Sequence, residues 1–139
     1  MGAGDVSGFS PEVFDGAGTI EDLRAILEQV ESNDEQRWVV FVDDADRIDT
    51  AGPLEDLARS APVHVTLIAA VRSSAARAGF GHWTRQVRTS GVGLILQPDN
   101  SVDGEILSVR LPRSERLEQR PGRGYLVQSG TAVDIQLAY

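Results

Sequence analysis

The sequence contains no cysteine. It also contains no lysine, because all 13 of its Lys and Arg positions are arginine. Without lysine, the chain cannot form a Schiff base or carry the G-x-x-x-x-G-K-[ST] phosphate-binding loop. Without cysteine, it cannot have a disulfide, a thiolate nucleophile or a Cys-ligated zinc site. The lack of cysteine suits oxidising and reducing compartments equally, so it leaves the compartment open.

Length and charge limit the kind of protein further. A chain of 139 residues with 41% hydrophobic residues is expected to form one domain with a buried core. Its net charge of −8 argues against nucleic-acid binding by the domain as a whole. Residues 1–60 carry 15 acids and 4 arginines, whereas residues 61–139 carry 6 acids and 9 arginines. This asymmetry indicates either two differently solvated faces or a contact surface for a neighbouring domain or an anionic partner.

Targeting and membrane signals are weak in this sequence. The first residues, Met1 to Asp5, lack the basic and apolar regions of a signal peptide. No apolar run approaches the roughly 18 residues that a membrane-spanning helix needs. We therefore expect a soluble chain without direct membrane insertion.

The hydrophobic pattern predicts a glycine-rich, flexible lead-in over residues 1–18 and a folded domain over residues 19–139. Continuous apolar runs are typical of parallel strands that are covered on both faces, and here they alternate with helical patterns. The domain is therefore predicted to be an α/β domain with a parallel sheet. The predicted elements are a helix at 19–33, a strand at 38–42, a helix at 53–61, a strand at 63–71, a short helix from Ser73, a helical stretch at 83–88 and a strand at 92–96.

After Pro98 the pattern changes to short strands, predicted at 106–109, 125–127 and 133–137. The last two are separated by Gln128 to Thr131, a turn sequence that favours an antiparallel hairpin. The glycines of residues 120–125 indicate a tight turn that enters the first of these two strands.

The first candidate site is the pair Asp43–Asp44, which follows directly after an apolar strand. Ligands of open α/β sheets bind beyond the carboxyl ends of the strands. One carboxylate there can hold Mg²⁺ through water, and a second can orient an attacking water. The alternative is that these aspartates cap the next helix or form a turn.

The second candidate is Arg72, with Ser73 and Ser74, at the end of the neighbouring strand. In a parallel sheet this position lies beside Asp43, where a polar side chain can sense a bound phosphate. The alternative is a helix cap next to a surface arginine.

The histidines and large aromatic residues are predicted to be structural. His64 lies in an apolar run and is expected to be a satisfied core or sheet-edge histidine, whereas His82 is expected at the surface. Trp38, Phe41 and Trp83 lack the interleaved basic residues of a base-stacking platform, so we assign them to the core.

Taken together, these segments resemble the FtsK/SpoIIIE family of translocase ATPases, especially the EccC-like variants of type VII secretion and the FHA-linked variants. Residues 38–47, WVVFVDDADR, are similar to the family's Walker B strand, and residues 65–72, VTLIAAVR, to the next strand with its sensor position. Residues 93–98, 120–127 and 135–138 resemble the C-terminal signature. The resemblance covers residues 19–138 and corresponds to the C-terminal half of the ATPase module.

The resemblance implies the C-terminal half of a RecA-like P-loop NTPase fold, with ATP and Mg²⁺ as ligands of the intact domain. It implies that Asp43 holds Mg²⁺ through water, that Asp44 polarises water and that Arg72 senses the γ-phosphate. The Walker A half is missing, so the chain alone is expected to bind no nucleotide tightly and to hydrolyse none. Active members usually have Glu where this chain has Asp44. Asp is one methylene shorter than Glu, and a catalytic base displaced by about 1 Å can lower the rate by on the order of 10²-fold. The parent ATPase is therefore expected to be weakened or degenerate.

The resemblance also implies partners and a location. The expected partners are the N-terminal half of the ATPase domain, neighbouring ring subunits, and DNA or a secreted protein as the translocated substrate. The expected location is the cytoplasm, with the parent protein anchored at the inner face of the bacterial membrane. A non-catalytic interaction module is the alternative function. A further alternative is DNA contact through the C-terminal arginines, which are Arg110, Arg113, Arg116, Arg120 and Arg123.

Overall fold

The computed structural model describes residues 20–48, 52–78, 82–99, 102–112 and 120–137. The predicted lead-in over residues 1–18 lies outside these residues, as does the predicted first residue of the first helix, Thr19. The helices and strands are α1 (Ile20–Ser32), β1 (Trp38–Val42), α2 (Pro53–Ser60), β2 (Val65–Ala69), α3 (Ser73–Ala78), α4 (Thr84–Arg88), β3 (Gly93–Leu96), β4 (Arg123–Gln128) and β5 (Thr131–Gln136). Short 3₁₀ helices lie at Ala45–Arg47 and Asp103–Leu107.

The strands form two separate sheets, so the fold is mixed α/β. β1 and β2 pair in parallel, from Trp38 opposite Val65 to Val42 opposite Ala69. β3, β4 and β5 form an antiparallel sheet in that order. The predicted parallel pairing is confirmed for β1 and β2. It is wrong for β3, because a short apolar run indicates burial but does not encode the direction of the neighbouring strand.

Helices cover one face of the parallel sheet. Leu27 and Val30 of α1, with Leu54 and Leu57 of α2, form the centre of this first core. Trp83 is 4% exposed and packs in the same cluster, as predicted. The regular spacing of apolar residues on α1 and the proline at the start of α2 account for these helices.

The opposite face of the parallel sheet is left open by the described residues. Val39, Phe41 and Ile68 point to this side and are exposed, with Phe41 at 62%. The prediction that this sheet is covered on both faces is therefore wrong for the described residues, as is the assignment of Phe41 to the core. A continuous apolar run shows that both faces favour burial, but it does not supply the layer that buries them.

The antiparallel sheet has its own core, formed by Ile95, Tyr125 and Val127 with Val109 and Leu111. The predicted strand at 106–109 is instead part of a loop closed by the 3₁₀ helix Asp103–Leu107. That loop is fixed locally, because the Val109 N–H donates to the Gly104 carbonyl at 2.9 Å. A hydrogen bond within the loop thus replaces the ladder bonds that a strand would make.

The C-terminal hairpin is confirmed. Ser129 and Gly130 join β4 to β5 with φ values of 52° and 76°. Positive φ at both central residues is typical of a type I′ turn, whose twist matches that of the strands. The predicted tight turn before β4 is also present, with Gly122 at φ 76° and the Arg123 N–H donating to the Arg120 carbonyl.

One ion pair connects the region around α3 with the loop that precedes β4. The Arg77 guanidinium donates to the carboxylate of Asp103, whose side chain is 6% exposed. The second carboxylate oxygen of Asp103 accepts the Asp99 N–H at 2.9 Å. Proteins usually tolerate a buried carboxylate by giving it several hydrogen-bond donors.

Within the described residues, every helix is too short or too polar to cross a bilayer.

Candidate functional site

The candidate site lies at the carboxyl ends of β1 and β2, which meet at one edge because the strands are parallel. Backbone hydrogen bonds continue the pairing beyond the strands. The Ala70 N–H donates to the Val42 carbonyl at 2.8 Å, and the Ala45 N–H donates to the Ala70 carbonyl at 2.9 Å. Ala45 is fully buried in the first core. The loop after β1 is therefore held against the loop after β2.

Asp43 and Asp44 form a tight turn within this loop. The Asp43 Oδ1 accepts the Asp44 N–H at 2.9 Å, and Asp44 has a left-handed backbone with φ 45°. Aspartate tolerates that conformation better than most residues because its short carboxylate can bond locally. The turn interpretation of these aspartates is therefore supported. Both side chains are nevertheless exposed at the strand end, where a ligand can reach them.

Asp44 also forms an ion pair. Its Oδ2 lies 3.3 Å from the Arg47 guanidinium, and both side chains are largely exposed. Exposed ion pairs of this kind contribute little free energy, about 0–1 kcal/mol. The pair therefore leaves the Asp44 carboxylate available to bind water.

Arg72 contacts Asp46. Its Nε lies 3.0 Å from the Asp46 Oδ2, and its Nη2 donates to the same oxygen. The side-chain hydrogen bond from Arg72 lowers the pKa of Asp46, and the same bond, with the attraction between the two charges, raises the pKa of Arg72. The charge of Asp44 adds a smaller attraction to Arg72. Asp44, Asp46, Arg47 and Arg72 are thus grouped at one strand end.

Sequence reasoning missed the role of Asp46. In the sequence it is one more acid in the run from Asp43 to Asp46, and the local pattern indicates no partner for it. Parallel pairing, in which Val42 lies opposite Ala69, places Asp46 and Arg72 at the same edge of the sheet, but it does not determine how the two loops turn to bring them into contact. α3 starts at Ser73, and the Ala76 N–H donates to the Arg72 carbonyl at 2.9 Å. Arg72 itself therefore occupies the N-cap position, whereas Ser73 and Ser74, the expected cap residues, lie inside the first turn of α3, so the predicted cap is wrong.

The donor set at this edge is compatible with Mg²⁺ in a limited way. Among the described residues, no group of three or more His, Asp or Glu side chains could hold a metal ion. Mg²⁺ usually keeps several waters and binds one or two carboxylates together with substrate phosphates. Asp43 is exposed, and its Oδ1 accepts a hydrogen bond within the turn. It suits the role of a carboxylate that holds Mg²⁺ through water. The cation would then neutralise charge on a phosphate.

The two histidines differ from each other. His64 is half-buried and its Nε2 lies 3.1 Å from the Val30 carbonyl, which confirms a satisfied histidine. His82 is also half-buried, so the surface assignment is wrong. Its Nδ1 lies 2.9 Å from the Thr84 hydroxyl, and its Nε2 lies 3.2 Å from the Ile48 carbonyl. Both histidines therefore connect loops to the first core.

The arginines considered for DNA contact are only partly described. Arg123 donates to Asp134 at 2.6 Å across β4 and β5. Arg110 and Arg120 are exposed. Arg113 and Arg116 lie outside the described residues. DNA contact through this group remains a prediction.

Comparison with known proteins adds no relative. No protein-family model, curated protein or solved structure matches the chain.

Proposed function

We propose that the chain is the C-terminal half of an ATP-dependent translocase ATPase domain of the FtsK/SpoIIIE type, with a RecA-like core. The observation that carries the proposal is the strand-end group. Two adjacent parallel strands end side by side, with Asp43 and Asp44 after β1 and Arg72 after β2. The carboxyl edge of a parallel sheet is where α/β proteins bind ligands. The translocated substrate would be DNA, as in cell division, or a secreted protein.

Each of the proposed site residues has one task. Asp43 would hold Mg²⁺ through water, Asp44 would polarise the attacking water and Arg72 would contact the γ-phosphate of ATP. The chain has no lysine, so the phosphate-binding loop must come from the N-terminal half of the domain. The isolated chain is accordingly expected to bind no nucleotide tightly and to hydrolyse no ATP.

The face of the parallel sheet that the described residues leave open supports a partner that packs on it. Val39, Phe41 and Ile68 expose one face of the parallel sheet, although such sheets are normally covered on both faces. The N-terminal half of the domain would cover this face and bring the phosphate-binding loop to the strand ends. Ring neighbours in the assembled translocase are the second expected partner.

A non-catalytic interaction module is the second candidate function. The observation that favours it is a row of exposed apolar side chains across the antiparallel sheet, where Leu94 is opposite Leu126 and Leu126 is opposite Val133. Such a row suits a partner subunit or an exported substrate. Nucleotide binding in the reconstituted domain discriminates the two functions, because an interaction module needs none.

The test is reconstitution of ATP hydrolysis. Residues 19–139 are fused behind the P-loop-containing half of an active FtsK/SpoIIIE ATPase domain, and ATPase activity is measured with Mg²⁺. Asp43→Ala is expected to abolish the activity. Asp56→Ala is the matched control, because Asp56 is an exposed acid on α2 whose ion pair with Arg59 lies outside the site. Activity that survives Asp43→Ala contradicts the proposal, as does ATP hydrolysis by the isolated chain.

A further inference from the structure

The ion pair between Arg72 and Asp46 is unequal in exposure. The Asp46 side chain is 8% exposed, whereas the Arg72 side chain is 61% exposed. The carboxylate is thus largely shielded from solvent, whereas the guanidinium that donates to it faces solvent. One partner is fixed in the protein, and the other is accessible to a ligand.

The pair also connects the two loops through more than one contact. Arg72 gives its Nε–H and an Nη2–H to the Asp46 Oδ2, and the Arg72 backbone N–H points at the Oδ1 at 3.5 Å. Two adjacent donors of the planar guanidinium thus share one carboxylate oxygen, and its remaining N–H groups point away from Asp46. The contact therefore determines where the free edge of the guanidinium lies.

The other arginine–aspartate pairs of the described residues lack this combination. Arg47–Asp44 and Arg123–Asp134 have both partners substantially exposed. Arg77–Asp103 also has a covered carboxylate, but it connects α3 to the 3₁₀ helix Asp103–Leu107 and not the loops after β1 and β2. At the candidate site, the Arg72–Asp46 pair combines a covered carboxylate with an exposed guanidinium.

We propose that Asp46 is a positioning residue for Arg72, holding its guanidinium at the strand end and competing with an anionic phosphate for it. This inference rests on the proposed function, since it assumes that Arg72 meets a phosphate. Because Asp46 neutralises the guanidinium, an incoming phosphate must share or displace the donors that Asp46 now holds. Asp46 would thereby keep Arg72 disengaged until a phosphate is presented beside it.

The competition is measured with tripolyphosphate and the isolated 139-residue chain, following the Arg72 Nε–Hε signal by NMR. Asp46→Asn is expected to tighten the apparent affinity seen at this signal by about fivefold, the size of effect that a partly exposed ion pair produces. Asp134→Asn is the matched control, because it removes the same charge from the Arg123 pair. The inference is overturned if both variants change the Arg72 response equally, or if neither changes it.

A second measurement needs no variant, and so does not depend on the folding of Asp46→Asn. Heteronuclear relaxation of the arginine Nε–Hε groups in the unaltered chain compares Arg72 with Arg47. We expect Arg72 to be clearly more ordered, because its carboxylate partner is covered. Equal mobility of the two groups would contradict the positioning role. Neither readout uses ATP hydrolysis. The Arg72–Asp46 inference can therefore hold when the ATPase test fails, and the ATPase test can succeed when the inference is overturned.

Discussion

The two sheets of this protein are stabilised in different ways. The parallel sheet depends on distant parts of the chain, since α1, α2 and Trp83 all pack on one of its faces. In the antiparallel sheet, β4 and β5 are joined by the local turn at Ser129 and Gly130, whereas β3 and β4 are separated by residues 97–122. Both sheets expose apolar side chains, but the charged candidate site lies at the strand ends of the parallel sheet. The candidate site thus lies on the sheet whose packing depends on distant segments of the chain.

The largest expected effect comes from the core under the parallel sheet. Leu54→Ala removes a side chain that is 1% exposed, so we expect a loss of about 2–5 kcal/mol in the free energy of unfolding. Urea denaturation measures this loss. Leu94→Ala, on the exposed face of the antiparallel sheet, is the control and should cost less than about 1 kcal/mol. Equal losses would contradict the different packing of these two positions.

A smaller effect is expected at the contact between β3 and β4. A Cβ at Gly124 would collide with the backbone carbonyl of Ile95, so Gly124→Ala should cost about 1–3 kcal/mol. Amide hydrogen exchange should increase in β3 and β4 more than in β1 and β2. Gly130→Asn is the control, because Asn tolerates the positive φ of the hairpin turn. Uniform exchange in both sheets would show that they do not unfold separately.

The ion pair at the strand ends should appear in the pH dependence of stability. Because Arg72 lowers the pKa of Asp46 in the folded state, this contribution is present above the ordinary aspartate pKa of about 3.9. It is lost as the pH falls through the lower folded-state value. Unfolding followed between about pH 2 and pH 5 should therefore show a smaller acid-induced loss in Arg72→Gln than in the unaltered chain. Identical profiles would show that the pair is not formed in solution.

The smallest effect on stability is expected at the open face of the parallel sheet. Phe41→Ser alters a side chain that is 62% exposed, so the isolated chain should change by less than about 0.5 kcal/mol. The same substitution should weaken association with a separately supplied P-loop half, measured by sedimentation. Thr66→Ser, a conservative change at an exposed position of β2, is the control. A strong loss of stability without any loss of association would place Phe41 in the core instead.

Much of the local structure was predictable from the sequence, because it depends on local rules. The apolar run Trp38–Val42, the proline that opens α2 and the turn at Ser129–Gly130 each encode their own geometry. The exposure of Phe41 and the direction of β3 depend on which segments lie alongside, and no short pattern contains that information.

The candidate site was partly predictable for the same reason. The strand-end positions of Asp43, Asp44 and Arg72 follow from parallel pairing alone. The contact of Arg72 with Asp46 could not be derived, because it depends on how the two loops turn after the strands end. Asp44 adopts a left-handed backbone with φ 45°, and that one residue redirects the chain toward Ala45 and Asp46.

The most direct test of the central claim is the position of a nucleotide-bound cation in the reconstituted domain. With Mn²⁺ in place of Mg²⁺ and ATP bound, paramagnetic broadening should be strongest for the backbone amides of Asp43, Asp44 and Arg72. The amides of β5, on the other sheet, should remain sharp. Broadening that spares Asp43 and Asp44, or that centres on the antiparallel sheet, would contradict the assignment of the strand ends as a nucleotide site.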